Sequence, residues 1–413
     1  MNIVQVPRRF VKSDWGGTET VILETSKRLL ARGHQTEVVC PNALADRNDE
    51  IIEGVPIHRV KYFYPYLGLR KDARRRLDQK GGNLFSFSLM RDLRRIPRLD
   101  LIHLHTQKRT GGIARHVAIN RRIPYVVSLH GGVFDVPSEE AASWTAPSEG
   151  AYEWGKMLGW WVGSRRVLDD AAAIICVGLQ EQAETQRRYP EKKVLHLPNG
   201  VDTEKFSRGD ATRFRRKHSI SEQADVILTV GRIDPQKNQI LAVRALHLLL
   251  EETPNAHLVL IGHVTNDDYC EKLVHTIESL GLRSRVTLIR GINSASSDLQ
   301  DAYKSANIFL LPSIHEPFGI VILEAWAAGL PVIASRVGGV PSFVECGTDG
   351  LLFESNDESK LLDAFRILKN SDVRRRIGEA GRKKARREYG WDRITDRLMK
   401  IYEEAVNEYS LRK

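Results

Sequence analysis

The chain has 413 residues, with 62 Lys+Arg against 52 Asp+Glu, and is 42% hydrophobic and 28% charged. That length suits two or three domains, each able to bury its own core, and the unbiased Gly 31 and Pro 16 exclude disordered, collagen-like and coiled-coil classes. No run approaches the roughly 20 apolar residues of a membrane span. Met1 leads straight into the apolar run Ile3 to Val6 without the regions of a secretion signal.

The first forty residues read as a strand-helix-strand unit: Ile3 to Val6, a loop through Gly16-Gly17, an amphipathic helix from about Thr18 that stops at Gly33, then Thr36 to Val39. Further strands are expected at Leu101 to Leu104, Tyr125 to Leu129, Ala172 to Val177 and Val194 to Leu197, as in a parallel sheet with helices on its faces. The pattern restarts with Val226 to Val230, a helix from about Asn238 to Glu252, His257 to Ile261, Val286 to Leu288, Ile308 to Leu311 and Val332 to Ala334. The fold class is therefore α/β, with two doubly wound parallel-sheet domains, 1–198 and 199–392. Their linker is Leu197-Pro198-Asn199-Gly200-Val201-Asp202, where Pro and Asn-Gly mark a turn. After Ser359 the chain reads as helical and highly charged.

The four cysteines, Cys40, Cys176, Cys270 and Cys346, show neither CxxC spacing nor a compact Cys/His grouping. They read as buried thiols in a reducing cytoplasm, not as a zinc site or a disulfide framework. A net charge of +10 favours anionic partners, nucleic acid, phosphorylated ligands or an acidic membrane among them. Between Arg59 and Arg98 twelve Lys/Arg face only Asp72, Asp78 and Asp92, so the basicity is concentrated in one stretch.

Three loops follow strand ends, where open α/β sheets place their ligands. Gly16-Gly17 precedes a helix, where absent side chains and free N–H groups let an anion approach; taken alone, two adjacent glycines more often make a plain turn. In the second loop, Gly231 to Asn238, Arg232 and Lys237 flank a turn at a helix start. Two cations oppose the helix dipole there, which a diphosphate would offset; a surface salt-bridge reading stays open. In the third, Ser313 to Glu324, two carboxylates stand eight residues apart across Pro317-Phe318-Gly319, so that Glu316 and Glu324 can face one cleft. Gly319 lets backbone approach a ligand. Glu316 as a cap and Glu324 as a helix salt bridge are the plain alternatives.

With Ser128-Leu129-His130-Gly131, Pro198 to Asp202, Glu316 to Glu324 and Tyr389-Gly390-Trp391-Asp392, these loops resemble the retaining GT-B glycosyltransferases of the large family numbered four. The resemblance covers nearly the whole chain. It implies two Rossmann-like domains facing a central cleft, with a helix of about 393–413 crossing back onto the first. A nucleotide-diphosphate sugar, UDP- or GDP-linked, would be bound mainly by the second domain, and a glycan or lipid-linked acceptor by the first. Arg232 and Lys237 would hold the diphosphate, Glu324 the ribose hydroxyls, and Glu316 with the backbone of Phe318, Gly319 and Ile320 the transferred hexosyl group. His130 would stand near that sugar, while Gly16 and Gly17 would let a phosphate come close. The resemblance implies no metal and no other cofactor, consistent with the lack of a convincing DxD motif; Asn266-Asp267-Asp268 reads as a loop. His103, His105 and His315 read as packing or cleft-lining residues. No carboxylate nucleophile is obvious, so same-face attack guided by the leaving phosphate is expected over a covalent route.

Two departures bear on specificity. His263 to Tyr269 replaces the short turn of many relatives, and Ser342 follows Pro341 where a glutamate is common. In the basic stretch, residues 59–98, cations interleave with Tyr62, Phe63, Tyr64, Tyr66, Phe85 and Phe87, which suits an anionic membrane surface at the inner face; an ordinary solvated insertion is the alternative. A sugar phosphorylase or a nucleotide-sugar epimerase is the rival enzyme reading. A nucleic-acid-binding protein is the rival of another class, but no recognition signature supports it, and no nucleic-acid partner is expected.

Overall fold

A computed structural model describes residues 1–12, 15–79, 81–131, 146–292 and 296–411. The chain divides into two units, Met1–Pro198 with Asp392–Lys413, and Asn199–Trp391.

In the first unit the strands are β1 (Asn2–Val6), β2 (Gln35–Pro41), β3 (Asp49–Ile52), β4 (Val55–Val60), β5 (Tyr66–Leu67), β6 (Leu101–Leu104), β7 (Tyr125–Leu129), β8 (Tyr152–Glu153), β9 (Ala173–Cys176) and β10 (Val194–His196). Eight of them form one sheet in the order β10-β9-β7-β6-β1-β2-β4-β3, parallel except for the β3–β4 hairpin, while β5 and β8 pair apart. Continuous apolar runs let the central strands lie buried on both faces, as parallel sheets require. The β3–β4 hairpin turns on Glu53 and Gly54, both at positive φ. It escapes sequence reading because it is short, charged and at the sheet edge, with Ile51 exposed.

The helix Trp391–Leu411 supplies the last part of this unit. Arg32 reaches Asp396 at 2.8 Å, Lys193 reaches Glu404 and Glu408 at 2.7 Å each, and Tyr402 is fully buried.

The second unit holds β11 (Asp225–Val230), β12 (Ala256–Ile261), β13 (Val286–Ile289), β14 (Ile308–Leu311), β15 (Val332–Ser335) and β16 (Leu351–Phe353). Their order is β13-β12-β11-β14-β15-β16, all parallel. The winding reverses between β11 and β14, and in the first unit between β1 and β6; a doubly wound sheet opens a crevice at such a point. The helix Ile320–Ala328 starts at Gly319 (φ +93°) and ends at Gly329 (φ +85°). Its Trp326 is fully buried, donates to the Asp349 carbonyl at 2.8 Å and lies where a Cβ on Gly381 would collide with it. Gly200 is equally constrained, by the ring of Trp391, and Val201 N–H donates to the Tyr389 carbonyl at 2.7 Å.

Two expectations need correction. Cys346 is exposed, unlike the three buried thiols, because it lies in the turn where its Sγ accepts from Leu352 N–H. Asn266-Asp267-Asp268 is not a loop: Asn266 caps the helix Asp267–Ser279 by accepting from Tyr269 N–H at 2.8 Å, which puts both aspartates in the first turn, where the helix dipole favours them.

Candidate active site

Two of the expected loops meet at the switch point of the second sheet. After β11 the chain makes a short turn at Pro235–Lys237, capped by Asp234, whose side chain accepts from Lys237 N–H at 3.2 Å. Asn238 then takes a left-handed conformation (φ +53°) before the helix Gln239–Leu249. The loop after β14 docks on this turn: Ile314 N–H donates to the Gln236 carbonyl at 2.8 Å, and the Gln236 amide donates to the His315 carbonyl at 2.9 Å. Across that seam Lys237 Nζ lies 2.5 Å from Glu316 Oε2, with both side chains largely buried.

The pairing revises one part of the sequence argument. The cations beside this helix start are offset by the chain's own carboxylates, because Asp234 and Glu316 stand next to them. Arg232 lies 3.2 Å from Asp234 and donates to Gln236 at 2.8 Å, but its side chain stays 42% exposed. Lys237 is held inside, Arg232 at the surface. An incoming diphosphate therefore meets one accessible guanidinium and one ammonium already engaged to a carboxylate.

Glu316 is placed by backbone as well as by charge. Gly339 N–H donates to its carbonyl at 3.0 Å, and a Cβ on Gly338 would collide with that same oxygen, one on Gly339 with the Pro317 carbonyl. Sequence reading noted Ser342 after Pro341 in this segment and gave the two glycines no task; their signal was the absence of side chains where two loops touch. Gly319 has no side-chain cap at the start of its helix. The Phe318 side chain points into the core and stacks on Phe343 at 4.8 Å, so that residue can offer a ligand only its backbone. His315 carries a buried Nε2 that finds no partner among the described residues.

Glu324 has a partner of its own, Tyr303, which donates its hydroxyl to Oε2 at 2.7 Å. Burial pushes its carboxyl up to about 7, and the Tyr303 hydrogen bond and Lys205 only partly oppose that. The segment His263 to Tyr269 braces the Arg232 loop: Ile233 N–H donates to the His263 carbonyl at 2.8 Å, and Thr265 Oγ1 donates to Asp234 at 3.1 Å. This segment, where a departure from many relatives was expected, therefore sits directly against the second loop.

In the first unit, the helix Gly17–Ala31 follows the Gly16-Gly17 loop, and Gly16 N–H donates to Glu19 Oε2 at 3.0 Å. A carboxylate of the chain's own occupies part of the helix start to which sequence reading gave an incoming anion. His130, just after β7, belongs to a buried network that sequence reading missed. Its Nε2 lies 2.8 Å from His105 Nδ1, and His105 Nε2 lies 2.7 Å from Gln5 Oε1. His103 Nδ1 lies 2.6 Å from the Tyr402 hydroxyl and its Nε2 2.7 Å from Ser128 Oγ. Burial lowers His103 to about 3 and His130 to about 4, and takes His105 well below its ordinary value, so all three imidazoles are neutral. The available signal was the period-two pair His103 and His105 at the end of a buried strand. Cys40 and Cys176 are pushed up to about 12 by burial, which makes them poor nucleophiles. Among the described residues no group of His, Cys, Asp or Glu is arranged to hold a metal ion.

The basic stretch is less uniform than its composition. Arg59 is buried, paired with Glu50 and donating to the Phe10 carbonyl; Tyr62 and Tyr64 donate to Asp78, and Phe85 lies in the core. Lys80 lies outside the described residues. Arg74, Arg75, Arg91, Arg94 and Arg95 remain exposed on two helices.

Known proteins match over the whole of this arrangement. Residues 15–205 match glycosyltransferase family 4, and residues 210–384 match the glycosyl transferases of group 1. A D-inositol 3-phosphate glycosyltransferase of Geodermatophilus obscurus is 27% identical over 96% of this chain and 86% of its own. Among solved structures, sucrose-phosphate synthase from Thermosynechococcus elongatus superposes with a TM-score of 0.74 at 21% identity, covering 99% of this chain and 100% of that one. Anabaena HepE in complex with UDP-glucose gives 0.71 at 19% identity, covering 96% and 98%. The fold is GT-B.

Proposed function

We propose that this chain, which belongs to the group 1 glycosyl transferases of family 4, is a retaining enzyme that moves a hexosyl group from a UDP- or GDP-linked sugar to a hydroxyl of a glycan or lipid-linked acceptor, without a metal. The observation that carries this reading is the Lys237–Glu316 pair at the switch point, with Arg232 exposed beside it. A donor diphosphate takes the Arg232 fork and draws the Lys237 ammonium, which stabilise the departing nucleoside diphosphate as the glycosidic bond breaks. Glu316, released from Lys237 in proportion, accepts from hydroxyls of the sugar, and Glu324 accepts from the ribose. The leaving phosphate takes the proton of the attacking hydroxyl, so the protein supplies orientation and electrostatics. A neutral His130 fits a hydrogen-bonding task toward the sugar. The UDP-glucose seen in Anabaena HepE supports a nucleotide-sugar donor.

Thermal-shift titration with UDP, GDP and ADP tests the donor half. Arg232→Ala and Lys237→Ala, each referred to its own ligand-free midpoint, should abolish the shift given by the best diphosphate; unchanged shifts remove their role. An acceptor screen including lipid-linked glycans and inositol 3-phosphate, with the product anomer read by NMR, tests the rest. Inversion at the anomeric carbon excludes same-face attack.

A role in cell-surface polysaccharide or glycolipid synthesis extends this reading, with residues 59–98 facing an anionic membrane. It is supported by exposed Arg74, Arg75, Arg91, Arg94 and Arg95, and by Trp154, Met157, Trp160 and Trp161, which are also exposed. Basic side chains near such a surface contribute about 1 kcal/mol each. No helix among the described residues is long and apolar enough to cross a membrane. Sedimentation with acidic and neutral vesicles decides: equal, salt-insensitive binding to both removes the electrostatic contact.

A further inference from the structure

The histidine network can be solved for its protons. Tyr402 has one hydroxyl proton and two neighbours, His103 Nδ1 at 2.6 Å and the Gln5 amide at 3.5 Å. The short contact suits an O–H donor to nitrogen, so the proton lies toward His103, and the Gln5 amide nitrogen faces the phenol oxygen. The Gln5 carbonyl oxygen is then left for His105, 2.7 Å away. His105 donates from Nε2 and, being neutral, carries a lone pair on Nδ1. That lone pair faces His130 Nε2 at 2.8 Å, which must carry the hydrogen.

We propose that Gln5 and His105 are positioning residues that lock His130 as its Nε2–H tautomer, so that the nitrogen left for substrate, Nδ1, is a hydrogen-bond acceptor and never a donor. Among the described residues only His105 bonds this ring. All members lie in the first unit: Gln5 on β1, His103 on β6 with His105 just beyond it, Ser128 on β7 with His130 just beyond it, and Tyr402 on the last helix. Gln5 is fully buried, so water does not compete for its amide. This deepens the proposed function and rests on it where His130 is taken to face the transferred sugar. The consequence is a specificity rule. A locked acceptor receives a sugar hydroxyl but opposes a carboxylate, which offers only lone pairs, so a neutral hexosyl donor is preferred over the hexuronosyl donor of the same nucleotide.

The tautomer is read directly in the full-length protein by two-bond 15N–1H correlation of labelled histidines. A protonated Nε2 and bare Nδ1 on His130 are expected; a protonated Nδ1 overturns the proposal. Gln5→Met keeps the volume but removes the carbonyl. It should leave His130 a mixture of tautomers, lower kcat for the neutral donor about three- to tenfold and narrow its preference over the uronosyl donor. Gln5→Glu should restore both the spectrum and the preference, because a carboxyl buried at this position stays protonated and repeats the amide's donor and acceptor. If Gln5→Met shifts the tautomer but changes neither kcat nor the preference, the positioning role is overturned. If His130→Ala also leaves transfer intact while the wild-type spectrum is as expected, the fault lies in the assumed sugar contact and not in the relay.

Discussion

Glu324 is a carboxylate held near neutrality by its surroundings, and that gives it a measurable signature. With the group raised to about 7 by burial, the proposed role requires a proton to leave before the carboxylate can accept from two ribose hydroxyls. Affinity for an intact nucleotide sugar, whose diphosphate does not titrate in this range, should therefore weaken as pH falls below about 7, approaching tenfold per unit. Glu324→Gln should abolish this dependence; calorimetry between pH 5.5 and 8 checks it. The two cations of the site separate on stability instead. Removing Lys237 strands the buried Glu316 charge, at a cost of about 3–5 kcal/mol. Removing Arg232, which is partly exposed, costs about 0–1 kcal/mol. Urea unfolding of Lys237→Ala and Arg232→Ala ranks them, and equal losses contradict the burial argument.

The loops that bear the candidate residues were harder to read than the strands between them. The buried strands are apolar runs, and the sequence located β1, β6, β7, β11, β12 and β14 to within a residue. It also marked Arg232, Lys237, Glu316 and Glu324 through the Gly and Pro residues around them. Pairings across strands were not legible: neither Lys237 with Glu316 nor Gly339 with the Glu316 carbonyl follows from spacing, because the partners are 79 and 23 residues apart and meet only through sheet order. Gly339 tests how tightly these loops are fitted. Its backbone has an ordinary negative φ, so Gly339→Ala acts only through the collision with the Pro317 carbonyl. We expect a loss of about 1–3 kcal/mol and a drop in transfer. Gly390→Ala, with only an ordinary contact nearby, should be close to neutral. Thermal midpoints and initial rates of the two variants decide.

At the level of the molecule, buried imidazoles govern acid behaviour. His103, His105, His130 and His257 all have folded values far below 6.5, to about 3, well below, about 4 and about 4. As pH drops from 6.5 toward 4 the unfolded chain takes up protons that the folded chain refuses, so stability falls. Glu324 acts oppositely, since its raised value favours the fold on the acid side and that contribution is lost between 4.5 and 7. His34, His116, His196 and His218 are lowered as well, while Glu37, Asp349 and His58 are raised and act with Glu324. Among the described residues eight lowered imidazoles against these four raised groups set the sign, so the thermal midpoint should decline through this window. His103→Gln should shallow the decline; an unchanged slope would contradict its neutral burial. None of this was visible in composition, which counts 13 histidines without saying which are enclosed.

The last helix has a bearing on biogenesis. Tyr402, which bonds the buried His103, and the acidic residues that grip Arg32 and Lys193 all lie from Asp392 onward. During synthesis the amino-terminal half leaves the ribosome first yet cannot be completed until the other half has been translated. A fragment ending at Pro198 would emerge with an unsealed core, whereas one carrying residues 392–411 on a short tether would have all its pieces.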